Sequence, residues 1–385
     1  MVPIERAEGL TLRSKSTWRD VKHIYAGYRP HQPLTGSSIA FVDLETTGSY
    51  AGGVRHYIKL AEALRRDAEL IFITRRIFTE DFLRLSTTSG FFTYESDFPI
   101  DPATFFWGLN LGRKLHGKVR GVVSTNFFFN TLMFSLGLSI SAGVPLIVMM
   151  YHQPRLHARV TNMGLYGLAS YIFYLPAVLS RHIPRTYLFY TEGGKARGHN
   201  IYHVISLYAQ IKPLKVGSSD RDIDVCYIGR LSMMKGFHEF LKVCEVLRYK
   251  HPTLNVHVTG SNFFGRLPEW VHHRENVSEE EKYNILSRSK VFLFPSHEEG
   301  FSLAIAEAMY NGAAVVSWDL PEYPFRHIIR IKEYDATNMV RAVEELLSNE
   351  QKRQRIAHEA YNEITEKMTN EDRIQKEAAL ILDIT

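Results

Sequence analysis

Two glutamates with seven residues between them, Glu299 and Glu307, stand in the most informative stretch of the chain, residues 291–318, VFLFPSHEEGFSLAIAEAMYNGAAVVSW. The apolar run 291–294 stops at Pro295, a polar loop follows, a helical stretch begins at about Ser302, and Gly312 releases the chain into a second apolar run. That pattern is a strand, helix, strand unit of a parallel sheet. Both carboxylates then face the carboxyl edge of the sheet, where open α/β folds bind ligands. The backbone N–H groups of Gly300, Phe301, Ser302 and Leu303 are the donors of the helix start, at the positive end of its dipole, and suit an anion such as a diphosphate.

A second basic turn lies upstream, Ile228-Gly229-Arg230-Leu231-Ser232-Met233-Met234-Lys235-Gly236, reading as a strand end, a turn and a helix start. Arg230 offers paired donors and Lys235 a compact charge, a combination that neutralises a diphosphate. His152 follows the apolar run 144–151, Gly52-Gly53 marks a strand-to-helix turn where a ligand can approach the backbone, and Gly260 ends a strand over 254–259.

Glu299-Gly300-Phe301-Ser302-Leu303 followed by Glu307-Ala308-Met309 resembles the E-x7-E signature of retaining glycosyltransferases of the family 4 type, and residues 229–236 match that family's G-R-x4-K-G pattern. The resemblance is specific over 225–318 and loose over 36–363. It implies an α/β chain with the GT-B fold, two Rossmann-like domains facing a central cleft, with the C-terminal helix crossing back to the first domain. It also implies roles: Glu299 and His152 on the donor sugar, Arg230 and Lys235 on the diphosphate, Glu307 on the nucleotide ribose, Gly260 near the base, and Gly52 and Gly53 near the diphosphate and acceptor. Gly229, Gly300, Phe301, Ser302 and Leu303 complete the implied donor site. The family usually has His-Asp or His-Gly where this chain has His152-Gln153-Pro154. The implied donor is a UDP- or GDP-sugar and the acceptor a glycan, a lipid-linked sugar or a protein. No metal or further cofactor is assigned, and no nucleic acid is expected as a partner. Retention implies front-face attack, with the departing phosphate helping to accept the acceptor proton.

At 385 residues the chain has room for two domains, and 45% hydrophobic with 23% charged residues is an ordinary globular composition. A net charge of +5 favours anionic partners: nucleotides, phosphate-bearing acceptors or acidic lipid. The expected boundaries are an N-terminal extension 1–35, an acceptor-side domain 36–208, a hinge 209–221, a nucleotide-sugar domain 222–362 and a returning C-terminal helix 363–385. The extension lacks an apolar core, so the expectation is a cytoplasmic protein. Cys226 and Cys244 have neither metal-ligand spacing nor disulfide logic.

Two long stretches, 121–154 and 160–180, contain no Asp, Glu, Lys or Arg. The first parses as strand, helix and strand. The second reads as a core helix plus loop, or as an acceptor-side or membrane-contacting surface with Arg113, Lys114, Lys118 and Arg120 as a basic flank at the inner face of an anionic membrane.

Other patterns compete. Residues 41–48, with Asp43 and Glu45, resemble the first motif of proofreading 3′–5′ exonucleases, but two-metal chemistry needs further carboxylates, and His199-Asn200 is only a faint second motif. Asp220, Asp222 and Asp224 alternate ahead of a strand and read as solvated linker. A nucleotide-sugar 2-epimerase and a catalytically silent nucleotide-sugar-binding subunit would share the fold. Ser278 with Glu281 fits a capping box.

Overall fold

The structure is a computed structural model that describes residues 36–44, 52–74, 91–93, 100–152, 155–172, 174–192, 196–207, 211, 221–368 and 372–385. The expected N-terminal extension, Glu45, Gln153-Pro154 and most of the expected hinge lie outside the described residues.

Short apolar runs alternating with helices build the first sheet: β1 (Ser38–Asp43), α1 (Gly52–Leu64), β2 (Leu70–Thr74), β3 (Phe91–Thr93), α2 (Ala103–Leu115), β4 (Val119–Ser124), α3 (Phe129–Ala142), β5 (Leu146–Met150), α4 (Leu156–Ile172), α5 (Leu175–Ser180), β6 (Thr186–Thr191) and β7 (Ile201–Ile205). Its seven strands run parallel in the order β3-β2-β1-β4-β5-β6-β7. The second half repeats the plan with β8 (Ile223–Ile228), α6 (Phe237–Lys250), β9 (Val256–Thr259), β10 (Val271–Arg274), α7 (Glu279–Arg288), β11 (Ser289–Phe294), α8 (Leu303–Tyr310), β12 (Ala314–Trp318), β13 (Ile329–Ile331), α9 (Ala336–Ser348) and α10 (Glu350–Met368). Its six strands are parallel in the order β10-β9-β8-β11-β12-β13.

In each sheet the strand order reverses beside its first strand, between β1 and β4 and between β8 and β11, which places the crevice for ligands at the carboxyl ends of those strands. The last helix, α11 (Asp372–Ile384), returns to the first domain and packs on α1. There His56 and Glu377, both fully buried, meet at 3.0 Å. The expected boundary at 362/363 falls inside α10, which stays with α8 and β12 of the second domain.

Three expectations are adjusted. The 160–180 stretch is not core: it forms the end of α4, interrupted at Gly164 (φ 56°), and α5, with Leu165 85% and Tyr166 70% exposed. Asp224 lies within β8, accepting from the Asn255 backbone N–H at 2.9 Å and pairing with Lys290, so it is structural and not linker. The capping box is half formed, because Ser278 caps the Glu281 N–H at 3.1 Å while the Glu281 carboxylate turns to Arg274. Cys226 and Cys244 are buried and unbonded, and burial pushes the Cys226 thiol up to about 12.

Helices α2 and α3 cross backbone to backbone, because a Cβ at Gly108 would lie 2.1 Å from the Phe134 carbonyl oxygen and one at Gly137 would lie 2.1 Å from that of Phe105. Gly137→Ala should therefore overpack the crossing and cost about 1–3 kcal/mol. The check is chemical denaturation: an unchanged midpoint for the first domain would mean that the helices do not approach this closely.

Candidate active site

Two segments meet at the switch point of the second sheet. From the end of β8 the chain turns through Gly229 and Arg230 into a single 3-10 turn, Met233–Lys235, before α6. From the end of β11, paired in register with β8 at Phe292 and Cys226, it enters the loop 295–302. Gly236 lets them touch: its φ is 67°, and a Cβ there would lie 1.7 Å from the Pro295 carbonyl oxygen. The contact is hydrogen-bonded, with the His297 N–H donating to the Met234 carbonyl at 3.0 Å.

This places Lys235 on Glu299, Nζ to Oε1, at 2.5 Å, with the Ser296 hydroxyl donating to the same oxygen at 2.9 Å. Arg230 is exposed: its carbonyl accepts from the Tyr227 hydroxyl at 2.9 Å, while its side chain makes no hydrogen bond or ion pair among the described residues. Glu307, 4% exposed, faces α7, where Lys282 reaches its Oε1 at 2.8 Å while also touching Glu279. Ser302 takes φ 61° as the N-cap of α8, and its hydroxyl accepts from the Ile305 N–H at 3.5 Å. Phe301 is buried behind it and Leu303 opens the helix. A Cβ at Gly260 would lie 2.1 Å from the Gly229 carbonyl oxygen, so these two strand ends approach at backbone distance. Gly52 and Gly53 begin α1, in the first domain.

The first domain closes onto the same loop. A Cβ at Gly300 would lie 1.6 Å from the Tyr151 carbonyl oxygen and 3.1 Å from the His152 Cα, so only glycine allows this approach. His152, just past β5, points its Nε2 at Glu298 Oε1 at 3.3 Å and rests edge-on against Phe127. Arg159 of α4 grips both oxygens of Glu298, at 2.9 and 2.5 Å, and the Arg155 backbone N–H adds a bond at 2.9 Å. Burial pushes the Glu298 carboxyl up, but the bonds from His152 and Arg159 outweigh it and hold it at about 2. The Arg155 side chain donates to the His297 carbonyl at 2.8 Å and to Glu333 at 2.9 Å.

His297 is fully buried between Glu239 of α6 and Glu333, each at 2.8 Å from one ring nitrogen. Among the described residues, His238, Glu239 and His297 bring three ligand atoms within 4.8 Å of one another. Both His297 nitrogens, however, face carboxylate oxygens and need protons there, which occupies the lone pair that a cation would use.

Residues 210–363 match the family model described as glycosyl transferases group 1. That segment is similar to group 1 glycosyl transferases. The chain as a whole has the GT-B fold: it is similar to Anabaena Alr3699/HepE, solved with UDP-glucose, at 14% identity and a TM-score of 0.65, covering 90% of this chain and 100% of that one. Sucrose-phosphate synthase from Thermosynechococcus elongatus aligns with a TM-score of 0.66 at 12% identity, over 90% of this chain and 99% of that one. WaaG, a glycosyltransferase involved in lipopolysaccharide biosynthesis, gives 0.63 at 13%, over 89% and 99%. No curated protein sequence matches the chain.

The matched segment holds Glu299, Lys235, Arg230, Glu307 and the glycines around the switch point, and His152 joins them from the other domain. The sequence reading missed Glu298, Arg155, Arg159, His297, Glu239, Glu333 and Lys282. A faint signal existed for the arginines: Arg155 and Arg159 lie one helical turn apart just after His152.

The depressed value of Glu298 makes its stabilisation fully present above the ordinary 4.5 and lost as pH falls toward about 2. Arg159→Ala should leave a buried carboxylate unpaired and cost roughly 3–5 kcal/mol. An expanded, open population in small-angle scattering at neutral pH is the expected outcome. Unchanged scattering would show that the pair does not hold the domains together.

Proposed function

We propose that the chain is a retaining glycosyltransferase that moves a sugar from a UDP- or GDP-sugar to a glycan or lipid-linked acceptor. The observation that carries the reading is the pair of cations at the β8–β11 switch point: Lys235 fixed by Glu299 at 2.5 Å, and Arg230 beside it with its side chain exposed. Charge develops on the departing diphosphate, so fixed cations and the N–H groups at the start of α8 stabilise the transition state more than the ground state. HepE, of the same fold, was solved with UDP-glucose, which supports a nucleotide-sugar donor. In this reading Glu299 and His152 face the donor sugar and Glu307, held by Lys282, faces the ribose. Closure of the domains around Gly300 excludes water and limits donor hydrolysis. The protein's own cations meet the diphosphate charge, and no residue is assigned to a metal.

The acceptor side favours a membrane-borne substrate. Residues 102–191 contain no Asp or Glu. That segment exposes Arg113, Lys114, Lys118, Arg181 and Arg185 together with Phe106, Ile140, Leu165, Tyr166, Ile172 and Leu179. Among the described residues no helix is long and apolar enough to cross a bilayer. An acid-free face with protruding aliphatic and aromatic side chains suits peripheral contact with an anionic leaflet.

A thermal-shift panel of UDP, GDP and ADP, with and without magnesium, tests the donor site. One nucleoside diphosphate should stabilise the wild type without metal and fail on Glu307→Ala; a panel in which none does would remove the reading. Arg230→Ala and Lys235→Ala should each lose roughly 1.5–3 kcal/mol of transition-state stabilisation, about ten- to a hundredfold in rate, and near-normal turnover in both would refute the assignment. Cosedimentation at low salt tests the surface: binding to phosphatidylserine-containing vesicles but not to phosphatidylcholine is expected, and equal indifference to both would exclude it.

A further inference from the structure

Glu298 reaches the first domain and Glu299 reaches Lys235, and the side chain of the residue before them makes neither contact. His297 is instead anchored inward. Its Nε2 lies 2.8 Å from Glu239 Oε1 and its Nδ1 lies 2.8 Å from Glu333 Oε1, with the side chain fully buried. A neutral imidazole carries one N–H and one lone pair, so it can satisfy only one of two carboxylates. Two carboxylate acceptors at hydrogen-bond distance, around a ring that is itself shut off from water, therefore require the imidazolium.

We propose that His297 is a positioning residue: a buried imidazolium clasp that fixes the loop bearing Glu298 and Glu299 and, through Glu333 and Arg155, couples that loop to closure of the two domains. The clasp is a chain of alternating charge. Glu239 of α6 is followed by His297, then Glu333 beyond β13, then Arg155 of the first domain, which bonds both Glu333 and the His297 carbonyl. His238 joins from α6, with Nε2 at 2.7 Å from the same Glu239 oxygen. Glu298, next along the loop, is neutralised by Arg159 and faces His152. Uncharged rings complete the enclosure, with Tyr334 stacked at 4.8 Å and Trp318 at 6.3 Å.

Burial pushes the ring toward the neutral form, and the bonds to Glu239 and Glu333 outweigh it, raising the His297 value above its ordinary one. The sign follows: the clasp is fully present below the ordinary histidine value and is lost as pH rises through the raised folded value. Losing the proton sets a lone pair against one of the two carboxylates. Glu239 then keeps His238 at its Oε1, but among the described residues its buried Oε2 accepts no hydrogen bond, whereas Glu333 keeps Arg155. The structural half of this proposal stands on the hydrogen bonds alone; its consequence for turnover rests on Glu299 and Lys235 forming the donor site.

The test compares wild type, Glu239→Gln and His297→Gln. Small-angle scattering without ligand is followed upward from about pH 6, below the ordinary histidine value, to about pH 9. Wild type should be compact at the acid end and expand as pH rises. Glu239→Gln is the diagnostic variant, because its amide can donate to the unprotonated Nε2 of a neutral ring that still donates to Glu333. It should stay compact across the range, whereas a merely structural role for Glu239 would expand it at every pH. Nitrogen NMR of the imidazoles, with the His297 signal assigned by its loss in His297→Gln, should show both ring nitrogens protonated near neutrality in wild type. One protonated nitrogen there, or identical pH profiles for wild type and Glu239→Gln, would overturn the clasp. UDP and GDP titrations keep the two readings apart. Binding weakened roughly tenfold at the alkaline end in wild type but not in Glu239→Gln supports the coupling. Absence of binding at any pH would remove the donor-site reading and leave scattering and NMR to judge the clasp.

Discussion

A charge taken out of water must find an opposite charge, and the cleft of this protein is assembled by that requirement. Glu298, Glu239 and Glu333 are each withdrawn from solvent, and each is met by an arginine or an imidazolium: Arg159 on Glu298, His297 on Glu239, and His297 with Arg155 on Glu333. Two of these partners, Arg155 and Arg159, come from the other domain. The closed geometry is therefore not a loose contact of two surfaces, since separating the domains strands buried carboxylates. Such a network adds little net stability over an apolar interface, but it punishes any arrangement other than its own.

Glycines make that electrostatic arrangement sterically possible. Gly236 admits the Pro295 carbonyl and Gly300 admits the Tyr151 carbonyl, at distances that a Cβ would forbid. The first approach joins the Lys235 turn to the Glu299 loop within one domain, and the second joins that loop to the strand end carrying His152. With both in place, the loop 295–302 touches Lys235, the first domain and the interior of the second domain at once. Its conformation cannot change at one of these contacts without loading the others.

Much of the fold was legible because parallel sheets write themselves plainly. Buried strands such as Phe292-Leu293-Phe294 and Ala314-Val315-Val316 are continuous apolar runs, and glycine, proline or polar turns bound them. The placement of the Glu pair and of the Arg-Lys turn at one sheet edge was legible as well, because each sits on one strand–loop–helix unit. What could not be read were partnerships across the chain. Arg159 meets Glu298 over a separation of 139 residues, and His297 meets Glu239 over 58. Nothing in the spacing of a lone histidine tells whether it will be sandwiched between carboxylates. The 160–180 stretch misled for the opposite reason: a run without charge implies burial, yet Leu165 and Tyr166 stand in solvent.

That last failure bears on function. An uncharged helix exposed to water is disfavoured unless something else covers it, and exposed apolar side chains in quantity mark an interaction surface. Here they lie on the domain that lacks acidic residues over 102–191, whereas the second domain mixes both signs through its helices. The two domains thus divide the work by chemistry. The second is polar at its cleft, with fixed cations and helix-start donors that suit a diphosphate. The first exposes apolar and cationic side chains along its acid-free segment, the feature on which the proposal of an acceptor at an anionic surface rests. Arg155 and Arg159 belong to this acid-free segment but spend their charge on Glu333 and Glu298, so the excess that shapes the outer face also supplies the cations that close the cleft. An acidic substitution anywhere along that segment would have to be weighed against both roles, which is a physical reason for so long a stretch to contain none.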